Sequence, residues 1–152
     1  MSAHAAKVRA LVEGQRLATL ATLADDGAPF GSLVGYALTS AGEPFVFVSR
    51  LAEHTKNLAR DPRASLLVAT MGDDPLASPR VTLVGRFQPA PAEQAAALVE
   101  AFVARHPEAA RYATFGDFAP WVLAVERARY VEGFGVMSFV PGEAYREAFS
   151  HG

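Results

Sequence analysis

Apolar and small polar residues alternate along Leu17-Ala18-Thr19-Leu20-Ala21-Thr22-Leu23, the period-two signature of a strand. Asp25-Asp26-Gly27-Ala28-Pro29 is turn chemistry, and the segment from Phe30 to Thr39 returns as a second strand, so a hairpin is expected. Ser40 to Pro44 turns the chain again into Phe45-Val46-Phe47-Val48, a continuous apolar run expected to be buried on both faces. Further strands are expected at 64–70, 80–87, 121–125 and 129–131. Elsewhere the spacing is helical. Val8, Leu11 and Val12 share one face over 3–13, a helix over 53–60 ends at Asp61-Pro62, and Ala95, Leu98, Val99 and Phe102 fit a helix over 92–105. A short helical turn to Arg111 and a tail helix over 143–149 complete the reading.

Strands outnumber helices and do not alternate with them, which argues against a doubly wound parallel sheet. The expected fold is mainly β (α+β): a six-stranded antiparallel barrel with flanking helices. A chain of 152 residues fits one domain, 1–152, and buries enough apolar surface without staples.

The absence of cysteine excludes disulfides, thiolate nucleophiles, iron–sulfur clusters and cysteine-ligated zinc. A net charge of −2 without a basic run argues against a nucleic-acid partner. No apolar run approaches the roughly 18–20 residues of a membrane helix, and the N-terminus lacks a secretory pattern. A cytoplasmic protein with no membrane partner is expected. His4, His54, His106 and His151 are dispersed, without the paired spacing of a zinc site. No G-x-S-x-G elbow is present, and the pairs Asp25-Asp26 and Asp73-Asp74 read as solvated turns.

Four segments carry a resemblance to a known family. They are the hairpin Leu20-Ala21-Thr22 through Gly27-Ala28-Pro29-Phe30-Gly31-Ser32-Leu33-Val34; the stretch Phe47-Val48-Ser49-Arg50-Leu51-Ala52-Glu53-His54-Thr55-Lys56-Asn57-Leu58 with Asp61-Pro62-Arg63-Ala64-Ser65-Leu66 after it; Pro79-Arg80-Val81-Thr82-Leu83-Val84-Gly85; and Val131-Glu132-Gly133-Phe134-Gly135. In this order they resemble the pyridoxamine-phosphate-oxidase-like split β-barrels, and are most similar to the haem-utilisation branch. The second segment is the most specific.

The resemblance implies a split barrel that binds flavin mononucleotide (FMN) between the subunits of a homodimer. A flavin phosphate needs cationic, hydroxyl and amide donors near a helix start, and Ser49, Arg50, His54, Thr55, Lys56 and Asn57 offer them. The same residues read equally as the start of a solvated helix. The resemblance assigns the flavin ring to Ser32, Leu33 and Val34, with Arg80 and Thr82 completing the pocket. Trp121 and Phe134 are candidates to cover the ring, or else core aromatics.

The implied activity is FMN-dependent oxidoreduction of a small molecule, with the redox chemistry carried by the flavin. The arginine–histidine pair that holds substrate phosphate in pyridoxamine-phosphate oxidases is missing from Phe134-Gly135-Val136-Met137-Ser138-Phe139, so vitamin B6 is not the expected substrate. Two alternatives stay open: haem binding or breakdown, with His151 as a candidate iron ligand, and a non-enzymatic role as a flavin store, a redox sensor or a cofactor-free interaction domain.

Overall fold

The structure is a computed structural model that describes residues 3–150. Strands β1 (Leu17–Leu23) and β2 (Pro29–Gly35) form the expected hairpin, with Gly27 at φ +86° in its turn. Then come β3 (Ala37–Leu38), β4 (Pro44–Ser49), helix α2 (Glu53–Arg60), β5 (Arg63–Ala69) and β6 (Arg80–Pro89). Helix α3 (Ala92–Arg105), a 3₁₀ turn (Pro107–Arg111), β7 (Phe118–Val131), β8 (Met137–Pro141) and helix α4 (Gly142–Ser150) follow, and helix α1 (Ala3–Gly14) precedes β1. No described helix is long and apolar enough to cross a membrane.

The strands make one antiparallel sheet in the order β2-β1-β5-β6-β7-β4-β3, with β8 paired to β7 beyond β4. The sheet curls into a split barrel closed by the chain itself, because β2 at one end runs through Tyr36 into β3 at the other. Every polar group of Tyr36 is engaged at this crossing. Its N–H donates to Arg16 O (3.0 Å), its carbonyl accepts from His106 Nε2 (2.8 Å), and its hydroxyl donates to Val12 O (2.5 Å). A buried backbone turn without such partners would be costly.

Three expectations are corrected here. The single strand 30–39 is divided at Tyr36 into β2 and β3. The two strands expected at 121–125 and 129–131 are one strand, β7. Its register against β6 shifts between Val84, opposite Arg127, and Gly85, opposite Val125, leaving Glu126 as the extra residue of a β-bulge. The bulge breaks the alternation by which a strand is recognised. It also brings the backbones together: a Cβ on Gly85 would lie 1.9 Å from Ala124 O. Finally, β8 was not expected: Met137 and Phe139 face outward while Val140 enters the core, so its apolar residues lie on both faces and mark no alternation. The barrel has eight strands rather than six.

Two apolar cores hold these elements. Leu20, Leu66, Val68, Leu83 and Leu123 fill the barrel, where Val8 and Val12 of α1 join them. Outside it, Phe102 of α3 packs on Phe45 and Phe47 of β4, whose run 44–48 is buried on both faces as its continuous hydrophobicity predicts. Each such side chain contributes roughly 1.5–3 kcal/mol through burial.

Candidate functional site

The split in the barrel is a cleft of about 330 Å³. Strand β2 has no strand neighbour beyond β1, and β4 has none on this side past its short pairing with β3. Between them lie Phe102, the 3₁₀ turn after α3 and the start of α2. The walls are mostly apolar, formed by Leu33, Val34, Phe47, Val48, Phe102 and Phe118. Polar atoms reach the cleft from Ser49, His54, His106, Glu108 and Tyr112.

The two cleft histidines differ in their hydrogen bonding. His106 is 3% exposed and stacks on Phe102 with ring centroids 4.5 Å apart. Its Nε2 must carry the proton, since it donates to the Tyr36 carbonyl at 2.8 Å, so Nδ1 faces the Arg16 guanidinium (3.4 Å) as an acceptor. Both nitrogens are committed. His54, on the first turn of α2, has a buried Nε2 with no hydrogen-bond partner among the described residues. Burial lowers its pKa, which keeps the ring neutral. An orphaned buried polar atom costs about 1–3 kcal/mol and calls for a ligand or a role.

The sequence-predicted residues divide into three groups. Leu33, Val34, Ser49 and His54 do converge on this cleft. Thr55 and Asn57, by contrast, are buried beneath α2, where Asn57 Nδ2 donates to Thr22 Oγ1 (3.0 Å) and Asn57 Oδ1 accepts from Arg60 (2.9 Å). Ser49 Oγ donates to Asp117 (2.7 Å) and accepts from Leu51 N–H, while Arg50 and Lys56 are exposed. A carboxylate on Ser49 and an amide locked to Thr22 are poor surroundings for a dianionic phosphate.

The third group lies elsewhere. Arg80 braces the turn at 75–77 by donating to Leu76 O (2.8 Å). Trp121 packs half-buried on the barrel core, and Phe134 is 88% exposed between β7 and β8. Ser32 is half-buried on β2, opposite Leu20. Thr82 sits on the outer face of the sheet, in a row with Leu33, Thr19, Leu67, Arg129 and Phe139 that the pairing registers align. His151 lies outside the described residues. Sequence reasoning missed His106, Glu108 and Tyr112, since no motif marks a turn that folds back over an open strand edge.

A groove on that outer face adjoins the cleft, and the two share Leu17 and Leu33. It has a volume of about 610 Å³ and is walled by Leu67 and Met71, with Arg16 at its margin. Leu33, 75% exposed, is the ridge between them.

Comparison with known proteins places this geometry. The CREG, β-barrel family matches residues 1–147. The chloroplast haem oxygenase HOZ of Arabidopsis thaliana is 33% identical over 145 residues, covering 94% of this chain and 44% of that protein. A haem-binding protein from Mycobacterium smegmatis is 40% identical with a TM-score of 0.90, covering 97% of this chain and 61% of that one. This chain thus spans less than two thirds of either relative. HutZ, a haem storage protein of Vibrio cholerae, superposes with a TM-score of 0.70 over 79% of this chain and 88% of its own, at 21% identity, a likeness of fold alone.

These findings correct the expected cofactor and activity. The plant and Mycobacterium smegmatis relatives, 33% and 40% identical, are both named for haem, so the FMN cofactor and the flavin oxidoreductase expected from the superfamily do not stand. The superfamily resemblance itself holds: this chain belongs to the CREG β-barrel family, among the pyridoxamine-phosphate-oxidase-like split barrels, on their haem-utilisation side.

Proposed function

We propose that this chain binds haem where the cleft and the outer groove meet at Leu33. The observation that carries the reading is this pair of apolar hollows meeting at Leu17 and Leu33, with the Arg16 guanidinium at the margin of one of them. A macrocycle with an apolar plate and two carboxylates needs those two features. Leu17, Leu33 and Leu67 would contact the plate, and Arg16 would hold a carboxylate. The names of the plant and Mycobacterium smegmatis relatives support the same ligand.

The outer face also supports the homodimer. Leu17, Leu33, Leu67, Met71 and Phe139 are exposed on or beside it, more apolar surface than a solitary sheet face ordinarily offers water. A second copy docked there would cover the groove and exclude water from its ligand. Haem breakdown is the second reading, favoured by the name of the plant relative. Bound haem would supply the iron at which dioxygen is activated, and the chain's part is to bind, orient and keep the site dry.

Titration with ferric haem, followed by its Soret absorbance, tests the proposal. A saturable shift in the wild type, weakened at least tenfold by Leu33→Asp, is expected. A wild type that leaves the haem spectrum unchanged would overturn it. Loss of the Soret band on adding a reductant in air separates breakdown from storage.

A further inference from the structure

We propose that Glu108 sets the strength with which this chain holds a ligand carboxylate, by competing for the Arg16 guanidinium, an inference that rests on the haem reading above. Arg16 stands where the two hollows meet. It lines the outer groove, while its guanidinium reaches His106 and Glu108, which line the cleft. A reciprocal clasp between two chain segments fixes its place. Arg16 Nε donates to the Arg105 carbonyl at 3.2 Å, and Arg105 Nη2 donates back to the carbonyls of Glu13 and Gln15. Nη2 of Arg16 then meets Nδ1 of His106 at 3.4 Å, on a ring whose other nitrogen is bonded to the Tyr36 carbonyl. A guanidinium braced in this way offers its charge to a ligand without first having to be ordered.

The carboxylate that neutralises it is Glu108. Its Oε1 lies 3.6 Å from Arg16 Nη2 and 3.7 Å from His106 Nδ1, beyond hydrogen-bond length, so it compensates the charge without saturating the donors. Glu13, the other acid at this junction, is paired with Arg9 at 3.1 Å, and Arg105 directs its Nη2 to carbonyls. A ligand carboxylate bonded to Arg16 would be brought up against Glu108, and two like charges on one cation oppose each other. Glu108 is exposed, so it can swing into water, and the cost of that movement is the surface ion pair it gives up. Removing its charge abolishes the cost and leaves the apolar contacts of the plate untouched. Glu108 therefore weakens the hold on the ligand's carboxylates and on no other part of it.

The test measures the affinity of the wild type, Glu108→Gln, Arg16→Gln and the double variant for ferric haem and for its dimethyl ester, by Soret titration in one mixed solvent. The ester has the same plate and iron but no carboxylate. Glu108→Gln is expected to bind haem roughly two- to fivefold more tightly, the reach of an exposed ion pair, and to bind the ester no differently. Misfolding cannot produce such a gain. In the Arg16→Gln background, Glu108→Gln is expected to lose its effect on haem. Equal haem affinity for the wild type and Glu108→Gln overturns the inference while leaving haem binding intact. An equal gain for acid and ester does the same, as does a gain that persists without Arg16. A wild type that leaves both spectra unchanged overturns the haem reading and this inference together.

Discussion

Asn57 donates its side-chain amide to Thr22 Oγ1 at 3.0 Å, with both residues buried, so α2 is fastened to the first strand of the barrel. Truncating the amide leaves a buried hydroxyl and the Arg60 guanidinium short of a partner. Asn57→Ala is expected to cost about 1–3 kcal/mol. Lys56→Ala, one residue away and exposed, is expected to stay within about 0.5 kcal/mol. Urea unfolding of the two variants checks this, and equal midpoints would refute the structural role of Asn57.

Gly35 lies against the His106 ring, where a Cβ would meet Cε1 at 3.0 Å. Gly35→Ala must shift the ring slightly against its bond to the Tyr36 carbonyl, and is expected to cost about 1 kcal/mol. The cost should shrink when His106→Ala is already present, because the obstructing ring is gone. A double-mutant cycle by thermal unfolding reads the coupling, and additive losses would show that the ring is not what the methyl strikes.

Burial lowers the pKa of His54 from its ordinary 6.5. The unfolded chain therefore binds the proton first as pH falls, and unfolding becomes easier from about pH 6.5 down to the folded-state pKa. Stability of the ligand-free protein is expected to decline through that window, and His54→Gln should decline less. Parallel stability curves for the two proteins would contradict the burial of an uncharged imidazole.

Leu67 is exposed near the middle of the outer face, opposite Thr19 on one side and Thr82 on the other. Leu67→Asp should convert a dimer of this chain to a monomer in sedimentation velocity while leaving its circular dichroism unchanged. A wild type that sediments as a monomer at all concentrations would remove the second copy from the proposal.

Local pattern was informative wherever one face of an element meets the core. Leu17–Leu23, Glu53–Arg60 and Ala92–Arg105 have the bounds that their periodicity predicts. It was silent where the two faces exchange roles. Met137 and Phe139 point outward, and Glu126 slips the phase of β7 by one residue. Of the site, the H-T-K-N segment drew attention to the right junction, but its four residues part company in space. His54 enters the cleft, Thr55 and Asn57 go beneath the helix, and Lys56 faces water. A helix start repeats every 3.6 residues, so consecutive polar letters cannot share one ligand face. His106 was beyond reach for a different reason: its partners Tyr36 and Gly35 are some 70 positions away in the chain.

The barrel's own edges lie at the split, where β4 is overlain by α3 through Phe102 on Phe45 and Phe47 rather than by a full strand, while Pro29–Gly31 of β2 stay exposed. Bare strand edges are templates for uncontrolled polymerisation. Residues 92–111 thus act as a built-in guard against aggregation, and a chain shortened through that segment would be expected to add strands from its neighbours and grow into fibres.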